Sequence, residues 1–353
     1  MGSCSWPIWK DFLSSTYIEK NKTDGGLRKQ NKLKTSTHKE PLISYVTVVR
    51  NNEKDIKRVI ESVQKQTYKN VEHIILDGAS TDNTFTIIKE YENVLDYFAS
   101  EPDNGLYDAL NKVIPLCKGT LICVLNSDDW LPENAAEIVV KNYKNTEKEL
   151  ILGTAKVYLS GNNQSVWKPS KVSLNSYFSI ANACHNAMYA TKGCYEVSGP
   201  YDITMKITAD FKWIMKCFDR NVRFIYTDDI TVNYSLGGIS SDSKKHIEES
   251  KEIIRERFPF LTNYEIETLN YIYYPWRDEL EHSSYKLFRH EPFIEEILEK
   301  YKEYPLFINA ISMDNYNINE SIYHNLKSYI RKHFPHTFNQ LKRIINLFRN
   351  LKK

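Results

Sequence analysis

Short, largely apolar runs alternate with amphipathic segments from residue 43 onward. The runs are rich in β-branched residues, which predicts strands that are covered on both faces. Between the first two runs, Ile56, Val59 and Ile60 recur at the spacing of one helix face. This alternation predicts an α/β domain with a mostly parallel central sheet flanked by helices. The predicted strands span residues 43–49, 71–76, 94–99 and 120–125.

The second half of the pattern predicts a change in strand direction. Residues 150–159 and 165–168 flank Gly161-Asn162-Asn163, which is typical of a hairpin and predicts a partly antiparallel extension of the sheet. Past residue 260 the chain is rich in Glu, Lys, Tyr and Leu with helical periodicity. Other predicted elements are helices at 54–64, 84–91, 106–117 and 132–143, and a buried strand at 183–190.

These patterns divide the chain into three regions. Residues 1–40 form an N-terminal arm, and the Lys, Asn, Thr and Gly content of residues 20–39 predicts a linker or mobile segment. Residues 41–260 form the α/β domain, and residues 261–353 form a helical C-terminal region.

Composition narrows the possible functions. The 353 residues carry 47 basic and 45 acidic side chains, and a net charge of +2 gives no global case for binding nucleic acid. None of the six cysteines lies in a C-x-x-C pair, so we expect no zinc site and a reducing compartment. No apolar run reaches the roughly 18 residues that a membrane span needs, which favours a cytoplasmic protein that is soluble or peripheral.

Two acidic turns follow two of the predicted strands. Residues 77–82 begin with Asp77, and residues 126–129 end with Asp128 and Asp129. Ligands of open α/β sheets bind at the carboxyl ends of the strands, where both turns would lie. Adjacent carboxylates there suit Mg²⁺ or Mn²⁺ together with a diphosphate, although an Asx turn or a helix cap remains open for each turn alone.

Five sequence blocks in order resemble glycosyltransferase family 2, the nucleotide-sugar-dependent enzymes with the GT-A fold. The family motifs span about ninety residues here and are more specific together than any single block. The resemblance implies that residues 41–132 bind the nucleotide sugar and that residues 133–260 form the acceptor side. The matching blocks are residues 43–52, 62–68, 71–82, 101–112 and 125–132.

The resemblance assigns the donor-binding residues position by position. Val49, Arg50 and Asn51 would line the nucleotide pocket. Asp77 would accept a hydrogen bond from the base ring, and Asp103 would lie beside the nucleoside.

The same resemblance identifies the metal motif. Asp128 would hold a Mn²⁺ or Mg²⁺ ion across the diphosphate, and Asp129 would support the metal or the donor sugar. Asn126 stands where many members have an Asp, so it is a neutral ligand or none, and the site carries less negative charge.

The acceptor side carries a weaker resemblance. Asp210 matches the last acid before the family's aromatic helix and would act as the catalytic base, although a capping or salt-bridged Asp is the alternative. His185 would lie near the acceptor or the donor phosphate, or would be a core histidine. Gly238 and Ser240 belong to a loop that would cover the diphosphate.

The C-terminal residues form an amphipathic basic pattern. From Leu341 to Lys353 apolar side chains share one helical face, and no acidic residue follows Glu320. Such a helix is typical of peripheral contact with an anionic membrane, and a packing or dimerisation helix fits equally well.

The resemblance implies an inverting, metal-dependent transfer of one sugar from a nucleoside diphosphate sugar, by default a UDP-sugar. The acceptor would be a saccharide or a lipid-linked saccharide, and the residue usage suggests bacterial surface-glycan assembly. A homo-oligomer is possible. The alternative is a non-catalytic subunit that binds nucleotide or glycan, because Asn126 and Ala209 depart from the family's acidic pattern.

Overall fold

A computed structural model describes residues 23–158, 164–174, 176–179, 183–237, 242–273 and 290–312. It has the predicted α/β architecture, with a central sheet flanked by helices. The strands are β1 Thr23–Gly25, β2 Ile43–Val49, β3 Val71–Asp77, β4 Tyr97–Ser100, β5 Leu121–Val124, β6 Glu149–Tyr158, β7 Gln164–Trp167, β8 Met188–Thr191 and β9 Arg223–Ser235. The α-helices are α1 Ile56–Gln64, α2 Thr84–Glu90, α3 Leu106–Val113, α4 Ala135–Asn142, α5 Ser176–Ser179, α6 Lys192–Ser198, α7 Ala209–Asp219, α8 Ser243–Arg257, α9 Asn263–Tyr273, α10 His290–Lys300 and α11 Pro305–Ser312.

One mixed sheet contains the strands of the described residues, in the order β1-β4-β3-β2-β5-β8-β6-β7, with β9 paired to β6. Strands β4, β3, β2 and β5 run parallel, as the apolar pattern predicts. Strand β8 pairs antiparallel with both β5 and β6. The predicted hairpin pairing is confirmed, since Ala155 faces Trp167 across β6 and β7, while the turn at residues 161–163 lies outside the described residues.

Buried helix faces form the core against this sheet. Ile56 and Ile60 of α1 are fully buried and pack with Ile75 of β3, which confirms the helical face predicted from their spacing. Burying a side chain of this size stabilises the fold by about 1.5–3 kcal/mol. Strand β2 is buried along its whole length, because helices cover both of its faces.

The segment predicted as a linker or mobile arm differs in the structure. Residues 23–25 form β1 at the edge of the sheet, antiparallel to β4. Arg28 donates to the carboxylate of Glu72 at 2.6 Å, and Lys34 donates to Asp96 at 3.0 Å. Both acids are almost fully buried. Composition alone does not reveal these pairs. Pairing with two buried carboxylates and the backbone hydrogen bonds of β1 offset the conformational entropy that the polar segment loses when it becomes ordered.

We expect Arg28→Ala to lower the free energy of unfolding by about 3 kcal/mol, because it leaves the carboxylate of Glu72 buried without its cation. The matched control is Lys29→Ala. The ion pair of Lys29 with Asp24 is exposed, so its loss should cost less than about 1 kcal/mol. Urea denaturation of both variants measures the difference. Equal stabilities would show that the N-terminal segment is not anchored through Glu72.

The chain divides into two compact units. The first contains residues 1–172 and 181–250, and the second contains residues 173–180 and 251–353. The division falls within α8. In the described part of the second unit, the core combines aliphatic side chains with a cluster of aromatic rings. Phe258 stacks on Phe178 at 5.2 Å between ring centroids and meets Phe307 edge-on at 5.3 Å.

Candidate functional site

The carboxyl ends of the parallel strands define one edge of the sheet. Strand β2 lies between β3 and β5 and is parallel to both, with Val49 opposite Asp77 and Val46 opposite Val124. The loops after these strands therefore leave the sheet on the same side. The structure thus places the two acidic turns at one edge, as the sequence predicts.

The loop after β2 ties the two acidic turns together. Asn51 adopts a left-handed backbone with φ 53°, and its side-chain oxygen accepts the Thr81 N–H at 2.8 Å. Its own N–H donates to the Ser80 hydroxyl at 2.8 Å. Asn52 reaches the other way, and its side-chain amide donates to the carbonyl of Ser127 at 2.9 Å. In this conformation Asn51 therefore holds the loop after β2 against the turn at residues 77–82. The resemblance implies in addition that Asn51 lines the nucleotide pocket.

Asp77 is a buried carboxylate with one unused oxygen. The side chain is fully shielded, and its Oδ2 accepts hydrogen bonds from the Ser80 N–H at 3.1 Å and the Ser100 hydroxyl at 2.6 Å. The other oxygen, Oδ1, is buried with no partner within the described chain. A buried acceptor without a donor costs about 1–3 kcal/mol, so this oxygen suits a donor brought by a ligand.

Asp103 lies against the turn that begins at Asp77. A Cβ atom on Gly78 would collide with Oδ2 of Asp103, so any larger residue there would require the Asp103 side chain to move. The other oxygen of Asp103 accepts the N–H of Gly105 at 2.8 Å. Arg50 borders the same turn with an exposed side chain, whereas Val49 is buried. The structure thus brings together the residues predicted to surround the nucleoside.

Asp128 is partly exposed at the end of the β5 loop. Its backbone carbonyl accepts hydrogen bonds from the Arg58 guanidinium at 2.7 Å and the Ser235 hydroxyl at 2.9 Å, which hold the loop in place. Partial burial is the largest influence on its carboxyl group and raises the pKa, with the Asp55 carboxylate adding to the rise and Arg58 opposing it. A nearby cation would stabilise the charged form of Asp128.

Asp129, which the resemblance assigns to support the metal or the donor sugar, is enclosed in the structure. It is fully buried, and its oxygens accept hydrogen bonds from the Asn186 amide at 2.5 Å and the Ser235 N–H at 2.7 Å. Burial, followed by the charge of Asp128, raises its pKa well above the usual range. Its own N–H donates to the carbonyl of Asn126 at 3.3 Å. In this conformation Asp129 therefore holds the loop after β5 to the 185–187 turn and to the end of β9 through buried hydrogen bonds.

Asp210 lies in the first turn of α7, where its carboxylate meets the positive end of the helix dipole. Its Oδ1 accepts the N–H of Phe211 at 2.8 Å and lies 3.2 Å from the Tyr107 hydroxyl. That hydroxyl also donates to the carbonyl of Ile207 at 2.6 Å. The side chain is 24% exposed, so the carboxylate remains accessible to a ligand.

A 3₁₀ turn at residues 185–187, where the sequence predicts a strand, connects the two halves of the site. His185 places Nδ1 3.9 Å from Oδ2 of Asp210, and its Nε2 lies 3.1 Å from the Tyr201 hydroxyl. Burial lowers the pKa of His185 and the charge of Asp210 opposes this, so its surroundings favour the neutral ring. The neighbouring Asn186 reaches Asp129. The turn thus touches both the metal motif and the predicted base.

Two residues of this network have no predicted role. Glu249 of α8 accepts hydrogen bonds from the N–H groups of Lys206, Ile207 and Thr208, at 2.7–2.9 Å, and so fixes the turn that leads to Asp210. Burial acts to raise its pKa, but these bonds outweigh it and lower the pKa. The sequence gives no signal for Glu249, because a polar Glu is ordinary on an amphipathic helix. Asn186 does give a signal, because a polar residue within a predicted buried strand is unusual.

Three predictions concern residues that the structure does not describe. Gly238 and Ser240 lie outside the described residues, as does the segment from Leu341 to Lys353. Among the described residues, no helix combines the length and the apolar character that crossing a membrane requires.

A family model matches this chain. Residues 44–195 match the model described as "Glycosyl transferase family 2". The match contains the strands and loops that carry Asp77, Asp103, Asp128 and Asp129, together with the 185–187 turn.

Named relatives are similar to part of the chain. A PGL/p-HBAD biosynthesis glycosyltransferase of Mycobacterium tuberculosis (strain ATCC 25618 / H37Rv) is 26% identical over 208 residues, covering 57% of this chain and 80% of the relative. Chondroitin synthase of Escherichia coli is 27% identical over 230 residues, which is 62% of this chain but 32% of that protein.

Solved structures share the fold. The crystal structure of S. aureus TarS 1–349 in complex with UDP-GlcNAc is similar with a TM-score of 0.51 and 18% sequence identity, over 76% of this chain and 79% of that one. The longer crystal structure of S. aureus TarS gives a TM-score of 0.53 at 17% identity, over 78% of this chain and 54% of that one. At these identities the likeness establishes the fold alone.

Proposed function

We propose that this chain, a glycosyltransferase whose residues 44–195 match glycosyltransferase family 2, transfers one sugar from a nucleoside diphosphate sugar to a saccharide acceptor. The transfer would use a divalent metal ion and would invert the anomeric configuration of the sugar. The observation that carries the proposal is the meeting of the acidic turns after β3 and β5 at one sheet edge, tied together through Asn51 and Asn52.

Donor binding is supported by the unused oxygen of Asp77. A ring N–H of a nucleobase such as uracil is a donor that could satisfy Oδ1, which has no partner in the described chain. Asp103 lies directly beside this turn, so in this proposal it would lie beside the nucleoside. A UDP-sugar is therefore the first donor to test.

The site suits a metal ion that arrives together with a diphosphate. The described residues contain no cluster of three His, Cys, Asp or Glu side chains that could hold an ion alone. Magnesium-type ions are commonly held by one or two carboxylates together with substrate phosphates, and the partly exposed Asp128 would be that carboxylate. When bound, the ion would offset negative charge on the diphosphate leaving group. With Asp129 enclosed, Asp128 is the principal metal ligand in this proposal.

Asp210 is the proposed base. Its Oδ2 would take the proton of the acceptor hydroxyl while the acceptor oxygen forms a bond to the anomeric carbon and the bond to the diphosphate breaks. Burial favours the neutral form of His185, so the ring does not form a full ion pair that would occupy the carboxylate of Asp210. A single displacement of this kind inverts the anomeric configuration.

The names of two relatives bear on the wider role. A relative is named for PGL/p-HBAD biosynthesis and another is named chondroitin synthase, which is consistent with an acceptor in glycan or glycolipid assembly. A lipid-linked acceptor and peripheral membrane contact through residues 341–353 stay predictions, as does a cytoplasmic location.

We expect the protein to release UDP from at least one UDP-sugar in the presence of Mn²⁺ and a saccharide acceptor. A panel of UDP- and GDP-sugars with neutral and acidic oligosaccharide acceptors, read by released nucleotide, measures this. NMR of the product's anomeric proton tests inversion. Binding of UDP without turnover of any donor would instead favour the non-catalytic subunit.

A further inference from the structure

A groove beside the metal motif has no role in the transfer described above. Its volume is about 530 Å³, within the usual range of ligand sites. One wall is formed by α1 and the residues just before it, and the other by residues 130–133 together with Asn233. Two hydrogen bonds between the backbones of Trp130 and Asn233, at 3.1 and 2.8 Å, hold the second wall to β9.

The α1 wall of the groove is cationic. The wall carries four cationic side chains, those of Lys54, Lys57, Arg58 and Lys65. Two acids, Glu61 and Glu133, also line the groove. Lys57 and Lys65 both approach Glu61, but at 3.9 and 3.8 Å, so one carboxylate is loosely shared between two ammonium groups. Such exposed pairs contribute about 0–1 kcal/mol and open readily. An anionic ligand could therefore recruit these lysines at low cost.

Arg58 connects the groove to the metal motif. Its guanidinium pairs with Asp55 at 3.0 Å, donates to the carbonyl of Asp128 at 2.7 Å and lies 4.2 Å from the ring centroid of Trp130. Arg58 is thus occupied in holding the wall, and the lysines provide the available charge. Trp130, Leu131 and Pro132 add apolar surface, which suits the C–H faces of sugar rings.

Three lysines are available to one ligand. Lys57 and Lys65 both turn toward Glu61, so their ammonium groups lie closer together than their backbones, which are about 12 Å apart along α1 at 1.5 Å per residue. Lys54 adds a third cation on the same wall, so a ligand that carries several anionic groups can contact all three.

We propose that this groove binds an acidic oligosaccharide segment, bearing carboxylate or phosphate groups, of the acceptor. The proposal rests on the proposed function, since it is the glycosyltransferase activity that makes a saccharide the expected occupant. The segment binds beside the loop that carries Asp128, while the acceptor hydroxyl reacts at Asp210. The enzyme would then select acidic acceptors over neutral ones.

Isothermal titration of the full chain with UDP and Mn²⁺ present tests this, using pentagalacturonate, pentamannose phosphate and neutral maltopentaose. We expect one of the two anionic probes to bind at least about tenfold more tightly than maltopentaose, and the preference to weaken with added salt. The two anionic arms distinguish carboxylate from phosphate recognition.

The decisive variant is Lys54→Gln/Lys57→Gln/Lys65→Gln, which should lose the preference while keeping its affinity for UDP. The control is Lys118→Gln/Lys141→Gln/Lys148→Gln, which removes the same charge from exposed lysines outside the groove. Equal binding of neutral and anionic probes, or an unchanged preference in the groove variant, would overturn the inference. Failure to bind UDP at all would instead count against the proposed function.

Discussion

Asp210→Asn is expected to reduce kcat by on the order of 10²-fold or more, as loss of a general base usually does. The substitution is nearly isosteric, and the asparagine oxygen can still accept the N–H of Phe211 in the first turn of α7. The orientation of the side chain should therefore persist while its capacity to take a proton is lost. UDP affinity should stay within about twofold of the wild type, because the proposed donor contacts lie on other loops.

The readout is single-turnover transfer together with calorimetric UDP binding. Asp228→Asn is the control, since Asp228 is largely exposed and lies outside the site. Wild-type turnover by Asp210→Asn would refute the base assignment. A parallel loss of UDP binding would indicate a structural role for Asp210 instead.

Asp128→Ala should weaken the Mn²⁺-dependent binding of UDP by at least about tenfold and reduce kcat/KM by a similar factor or more. Removal of outer partners of a metal site commonly costs 10–100-fold, so removal of the principal carboxylate should cost at least as much. Without Mn²⁺, UDP should bind the variant and the wild type alike. Calorimetry at saturating and zero Mn²⁺ measures both quantities.

Asp129→Asn provides the contrast for that experiment. Its carboxylate is enclosed by Asn186 and Ser235, so we expect the substitution mainly to lower the melting temperature, with a smaller effect on the metal dependence. If Asp129→Asn abolishes the Mn²⁺ effect while Asp128→Ala leaves it unchanged, the roles of the two acids are reversed.

The donor side was predictable because its residues are local to strand ends. Asp77 closes β3 directly after a buried run, and Asp128 follows β5 by a few residues. Once alternation predicts a parallel sheet, the topology brings both turns to one edge without knowledge of any side-chain contact. The state of each carboxylate was not predictable, since Asp128 and Asp129 are adjacent in sequence and differ in burial.

The N-terminal segment shows where composition misleads. A polar stretch with few apolar residues predicts a mobile arm, yet Arg28 and Lys34 anchor it to two buried acids on the sheet. The stabilising ion pairs join residues that lie 44 positions apart in one case and 62 in the other. A local pattern of polar and apolar residues cannot reveal contacts between residues so far apart in sequence.

The sequence by itself determined the alternation of strands and helices, the parallel half of the sheet and the edge that carries the acidic turns, because these follow from the period of apolar residues and from strand direction. Only the tertiary structure decided which acid is open and which is enclosed, that Asn186 and Glu249 fix the two halves of the site, and that a cationic groove adjoins the metal motif. Burial and partner geometry arise from segments far apart in sequence, and they set the solvation and charge of each side chain.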